Sequence, residues 1–165
     1  MTDKLSRFRQ ITSDNGWREV VEACLSSRAL PMPSQDDFGT YWVEAGHRIR
    51  EQVANDRLLS KFLRAILPPY QGGPVTLFRG ENQDRFMAGA VGFCWTAEAS
   101  VATMFAQGLN AVGSGGVLLT ATLAAPAIIS GPNAHSAYLG EHQFTVDPFT
   151  SKGVCSVAAF PAHAA

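Results

Sequence analysis

Three short polar segments in the second half of the chain have residue types that could do chemistry. Arg79 ends a strand-like run and is followed at once by a glycine. Cys94 and Thr96 flank a tryptophan where another strand-like run meets a helix-like run. Glu141 and Gln143 open a later strand-like run, and residues two apart in an extended chain project from the same face. The sequence therefore predicts a carboxylate and a carboxamide aimed in one direction.

Cys94 allows a different chemistry, that of a cysteine hydrolase. It is followed along the chain by His135 or His142 as a candidate base, and Asp147 could orient that base. A helix that begins at Cys94 would favour the thiolate form. No oxyanion motif accompanies these residues, so a buried structural cysteine is the simpler interpretation. Each of the other two segments also has a structural explanation, as an ion pair or a solvated strand end.

Composition limits the classes of partner and compartment. The chain has 165 residues, of which 46% are apolar and 16% charged, and its formal net charge is −1 without blocks of like charge. This balance disfavours nucleic acid and membrane surfaces as partners. We expect no secretory signal and no bilayer-spanning segment. The three widely spaced cysteines are interpreted as free thiols, with no metal site, in a cytoplasmic protein.

The first part of the chain is predicted to be helical. Apolar residues recur at helical spacing over 17–25, 38–53 and 58–67. Ser13 or Asp14 is expected to cap the first of these helices, and Pro31 to stop it. The charged side of the other two is interpreted as a solvated face. A face that docks a partner is the alternative.

From residue 75 onward the pattern changes to strands. Strands are predicted over 75–80, 115–124, 127–130, 142–146 and 154–160. One helix interrupts them, with Thr96 as its N-cap and Glu98 in its first turn. Its expected buried stripe consists of Val101, Ala102, Met104 and Phe105. We therefore predict one α+β domain over 1–165, with helices in 1–70 and a mostly antiparallel β core in 75–160.

The segments "LFRGE" (77–81), "GFCWTAEASVATMFA" (92–106) and "GEHQFTVDP" (140–148) resemble those of mono-ADP-ribosyltransferases. The likeness is to the arginine–serine–glutamate branch, which includes many small bacterial toxins and effectors, and it covers about residues 75–160. It implies a split β-sandwich core. It also implies that NAD is the substrate and that ADP-ribose passes to a nucleophile on a protein. A toxin, an effector and an anti-defence protein all fit this resemblance.

The resemblance implies a role for each matched position. Arg79 matches the arginine that holds NAD phosphate and ribose oxygens, a task that suits a planar guanidinium. Gly80 matches the position where backbone comes close to the nicotinamide amide. These roles require Arg79 and Gln143 to converge on one side of the sheet.

The middle segment matches the Ser-x-Thr segment of the family. Cys94 and Thr96 occupy its two polar positions, which brace the NAD pocket, and Cys94 replaces the usual serine. Trp95 takes the central position, where we expect a core residue. Phe105 or Phe93 could wall the nicotinamide pocket, although core packing is the simpler interpretation for both.

The last segment departs from the family at the catalytic position. The family has Glu or Gln first and a catalytic Glu second, whereas this chain has Glu141 first and Gln143 second. Three interpretations remain: Gln143 is an introduced substitution, Glu141 is the working acid, or the protein is a pseudoenzyme that binds NAD without turnover. Glu141 in the first place implies arginine as acceptor. A binding or inhibitor module that uses the N-terminal helices is a further alternative.

Overall fold

The computed structural model describes residues 3–26 and 34–163. The chain divides into two compact units, Met1–Pro69 and Tyr70–Ala165. The division falls in the loop that separates the predicted helical part from the predicted β core. Pro31, expected to stop a helix, lies outside the described residues.

The first unit contains four described helices. They are α1 (Ser6–Ser13), α2 (Trp17–Leu25), α3 (Gln35–Val53) and α4 (Asp56–Ile66). The last three were predicted, and α1 was not. The expected cap of α2 is wrong, because Gly16 is the N-cap and no side chain bonds there. Five aromatic side chains form the centre of this unit: Phe8, Trp17, Phe38, Tyr41 and Phe62.

The second unit is built on an antiparallel sheet of six strands. The strands are β1 (Val75–Asn82), β2 (Cys94–Thr96), β3 (Gly116–Leu123), β4 (Ile128–Ser130), β5 (Gln143–Val146) and β6 (Cys155–Phe160). Their order across the sheet is β4-β5-β2-β1-β3-β6. Short helices α5 (Gln83–Met87) and α7 (Ala134–Tyr138) and the longer α6 (Ala99–Gln107) connect them. The predicted α+β class is compatible with this arrangement.

One face of the sheet carries the apolar core of the second unit. Leu77, Trp95, Leu119 and Val146 belong to this core, and Trp95 is only 3% exposed. Burial of this face accounts for the alternation of apolar and polar residues in the predicted strands. The expectation that Trp95 is a core residue is confirmed.

Helix α6 packs closely on the backbone of β1 and β3. A Cβ on Gly80 would overlap the α6 backbone at Ala102 and Ala106, and a Cβ on Gly116 would overlap Ala106. Small residues on both sides therefore let the helix axis approach the strands. The predicted buried stripe is partly wrong, since Met104 is 70% exposed.

The start of α6 also differs from the prediction. Glu98 is the N-cap residue, and its side chain makes no capping hydrogen bond. The Thr96 hydroxyl instead accepts a 3.1 Å hydrogen bond from the Glu98 backbone N–H. Thr96 therefore stabilises the turn between β2 and α6 rather than the first turn of the helix.

Candidate functional site

The three motif segments lie on neighbouring strands of the sheet. Phe78 on β1 is the register partner of Thr96 on β2, and Thr96 is the partner of Gln143 on β5. Register partners project from the same face of an antiparallel sheet. Residues from distant parts of the sequence thus form one row across β1, β2 and β5.

The sheet opens beside this row. β1 pairs with β3 over its whole length, whereas Phe78–Thr96 is the single registered pair between β1 and β2. Beyond that pair the two strands separate. We call this separation the seam. Residues 79–81 of β1 lie on one side of it. Residues 92–94, which are the last two residues before β2 and its first residue, lie on the other. Side-chain hydrogen bonds replace the missing backbone ladder across the seam.

Arg79 enters the seam from β1. Its Nη1 donates a 2.7 Å hydrogen bond to the carbonyl oxygen of Cys94, and its Nε donates a 2.8 Å hydrogen bond to Glu81 Oε2. A Cβ on Gly92 would overlap Nη2, so the guanidinium lies against the backbone of Gly92. Within the described residues Nη2 makes no hydrogen bond, and it is not sealed from solvent. The side chain as a whole is 15% exposed.

The expectation that Arg79 and Gln143 share one side of the sheet is wrong. Side chains alternate along β1, so Arg79 leaves the strand on the face opposite to Phe78 and therefore opposite to Gln143. Its guanidinium nevertheless ends in the seam, beside the carbonyl of Cys94. A ligand that touches both residues has to lie across the seam.

Glu81 is a buried carboxylate that sequence reasoning did not assign to the site. It is 0% exposed, and its oxygens accept hydrogen bonds from Arg79 and from the backbone N–H groups of Asn82 (2.8 Å) and Gly92 (2.9 Å). Arg85 Nε lies 3.4 Å from its Oε1. Burial raises the pKa of Glu81, but the Arg79 charge and these hydrogen bonds outweigh it, so the net pKa is lowered. The alternation of Arg79 and Glu81 on one strand face was the signal available in the sequence.

Gly80 has a packing reason to be glycine. The space that a side chain would take is occupied by α6. Its carbonyl oxygen accepts a 2.9 Å hydrogen bond from Asn110 Nδ2, which lies in the loop after α6. The approach of nicotinamide, implied by the resemblance, is therefore not needed to explain this glycine.

The remaining predicted pocket residues differ in their burial. Cys94 is half-buried, Thr96 is buried, and Trp95 donates from Nε1 to the Gly92 carbonyl oxygen at 3.2 Å. Phe93 is buried, with its carbonyl oxygen bonded to the Val146 N–H at 2.7 Å, and Phe105 is half-buried on α6. Cys94 and Thr96 share the face that carries Gln143, because they are register partners of Thr145 and Gln143.

The expectation that Glu141 and Gln143 share a strand face is not supported by the backbone. β5 begins only at Gln143, and His142 has a left-handed conformation with φ 45°. The backbone N–H groups of Glu141 and His142 both bond to the Ser136 carbonyl oxygen, at 3.0 and 3.2 Å. Burial raises the pKa of Glu141, and the charge of His135 partly opposes that shift. Strand alternation therefore does not set the direction of Glu141.

The cysteine hydrolase interpretation loses its electrostatic support. Cys94 lies at the start of β2, and α6 begins five positions later at Ala99, so Cys94 is not at the N-terminus of α6. The Cys94 carbonyl oxygen takes part in the seam instead. Across residues 3–26 and 34–163 no cluster of three or more His, Cys, Asp or Glu side chains could hold a metal ion. None of the described helices is long and apolar enough to span a membrane.

Comparisons of the chain with protein-family models, with curated proteins and with solved structures found no match.

Proposed function

We propose that the chain is a mono-ADP-ribosyltransferase that uses NAD and carries a glutamine at the position of the catalytic acid. The observation that supports this proposal is the row Phe78–Thr96–Gln143, together with the guanidinium of Arg79, which leaves β1 on the opposite face and ends in the seam beside Cys94. Three segments that resemble the family motifs are separated in the sequence and adjacent in space. The family core, a split β-sandwich, would correspond to two half-sheets that part at the seam.

In the proposed reaction, the bond between nicotinamide and ribose breaks and nicotinamide leaves with the bonding electrons. Positive charge then develops on the ribose, as in glycoside hydrolysis. A carboxylate at position 143 would stabilise that charge, whereas the carboxamide of Gln143 can only hydrogen-bond a ribose hydroxyl. By analogy with the loss of one preorganised donor, the missing charge lowers the rate by roughly 10²–10³.

Arg79 and Glu141 take the other two roles in this proposal. The open Nη2 of Arg79 would bind a phosphate oxygen of NAD placed across the seam. Glu141 would accept the proton from the attacking nucleophile, and burial moves its pKa upward, toward the range that suits a base near neutral pH. The acceptor would be an arginine side chain on a protein.

A second candidate function is an NAD-binding pseudoenzyme. The residue that favours it is Gln143 itself, because a native glutamine at this position would retain hydrogen bonding to the ribose without turnover. The two candidates differ in catalysis and agree on the NAD site.

The test restores the acid. Gln143→Glu protein and the unchanged protein are incubated with labelled NAD and a cell lysate, with the double variant Gln143→Glu, Arg79→Ala as the matched control. We expect Gln143→Glu to transfer label to a discrete protein at a rate at least roughly 10²-fold above the unchanged protein. Release of nicotinamide without transfer would identify an NAD hydrolase. Absence of NAD consumption in every variant would contradict the transferase.

A further inference from the structure

The buried carboxylate of Glu81 accepts hydrogen bonds on both oxygens, and each of its polar partners is a donor. Oε2 accepts from Arg79 Nε and the Gly92 N–H, and Oε1 accepts from the Asn82 N–H with Arg85 Nε at 3.4 Å. A carboxamide would place its NH₂ group against one of these donors. The surroundings of Glu81 therefore require an ionised carboxylate.

These hydrogen bonds fix the guanidinium of Arg79 at two points. Glu81 holds Nε, and the Cys94 carbonyl oxygen holds Nη1. The hydrogen bond from Gly92 to Glu81 also ties the segment before β2 to β1. What is left of the guanidinium is Nη2, which lies against Gly92, makes no hydrogen bond within the described residues and is not fully buried.

We propose that Glu81 is a positioning residue that holds Arg79 in one orientation, with Nη2 presented to a phosphate group of the dinucleotide. The identity of that ligand rests on the proposed function. Glu81 itself does not touch the ligand in this proposal. The charges of Arg79 and Glu81 cancel in the unchanged chain, so removal of the Glu81 charge would leave a net positive charge beside the ligand.

Orientation and charge predict opposite effects for Glu81→Gln. The substitution removes the negative charge beside Arg79, so charge alone predicts tighter binding of NAD. Loss of a fixed guanidinium predicts weaker binding, by about tenfold for one misdirected charge-assisted hydrogen bond. We expect the weaker binding, measured as Kd for NAD by calorimetry.

Arg85→Ala is the matched control. It removes a neighbour of the same carboxylate, but the Arg85 side chain is 48% exposed and the hydrogen bonds between Glu81 and Arg79 remain. We expect the Kd of this variant to stay close to that of the unchanged protein. Suppose that Glu81→Gln binds NAD as tightly as the unchanged protein, or more tightly, while binding still depends on Arg79. That result overturns the positioning role of Glu81 and leaves the proposed function standing.

A measurement on the unsubstituted chain covers the case in which Glu81→Gln does not fold. The Arg79 Nε–H signal in a nitrogen-correlated NMR spectrum is assigned by its loss in Arg79→Lys. We expect this proton to exchange with water far more slowly than that of exposed Arg48. Equal exchange rates overturn the proposal. If NAD does not bind the unchanged chain, or binds Arg79→Ala equally well, the proposed function and the positioning role fail together.

Discussion

At the scale of single residues, the two acidic side chains of the candidate site differ in electrostatic character. Glu81 is buried among donors, and its pKa is lowered in spite of burial. Glu141 lies before β5, and burial raises its pKa. One carboxylate is therefore held ionised as part of the structure, and the other is shifted toward the neutral form, as suits a group that exchanges protons.

These shifts predict how stability depends on pH. A lowered folded-state pKa means that Glu81 stabilises the fold above its unfolded pKa and that this contribution is lost as pH falls through the folded pKa. The contribution of Glu141 to folding stability depends on pH in the opposite direction. Because its pKa is raised in the folded state, this contribution is present at low pH and is lost as pH rises. We expect the free energy of unfolding, measured with urea, to fall less between pH 7 and pH 3 in Glu81→Gln than in the unchanged chain.

Exposed Glu98 provides the control for this series. The Glu98→Gln variant should lose stability toward acid in the same way as the unchanged protein. An acid dependence in Glu81→Gln equal to that of the unchanged protein would show that Glu81 is not held ionised by the seam.

The sequence could predict some of these residues and not others. Arg79, Gln143 and the Cys94–Thr96 segment stand out because their order and intervals resemble a family pattern. The left-handed conformation of His142 is not encoded by a local glycine, so the start of β5 and the direction of Glu141 were misjudged. Glu81 was overlooked because its partner Gly92 is distant in the sequence and reaches it only through the arrangement of the sheet.

At the scale of elements, the position of α6 explains much of the sequence of β1. The helix backbone touches Gly80 and Gly116, and its own residues there, Ala102 and Ala106, are small and buried. Long elements with clear periodicity, such as α3 and β3, were predicted from the sequence. The helices α5 and α7 were not, because five residues are too few to show a helical repeat of apolar positions.

The contact between α6 and β1 predicts the effect of Gly80→Ala. The added methyl would overlap backbone atoms, which cannot move aside like the end of a flexible side chain, so we expect a loss of about 1–3 kcal/mol in unfolding free energy. Urea unfolding followed by fluorescence measures this loss. Gly73→Ala is the control, since nothing lies near a Cβ there. Stability unchanged in both variants would contradict the packing of α6 on β1.

At the scale of the whole molecule, two compact units each have their own core. The helical unit is centred on aromatic side chains such as Trp17 and Phe38, and the β unit on a core that includes Leu77 and Trp95. All the candidate site residues belong to the β unit. Binding of NAD should therefore be local to Tyr70–Ala165. The sequence predicted a change from helices to strands near residue 70, but within one domain.

The most direct test of the account follows NAD binding by NMR on the whole, isotope-labelled chain. Gln143 carries its own probe, because its side-chain NH₂ gives signals that disappear in Gln143→Glu and are thereby assigned. We predict that NAD shifts these signals saturably, together with backbone signals of β1, β2 and β5, while the side-chain NH₂ signals of Gln10 in the helical unit stay unchanged. No saturable shift at Gln143, or shifts confined to α1–α4, would contradict the account.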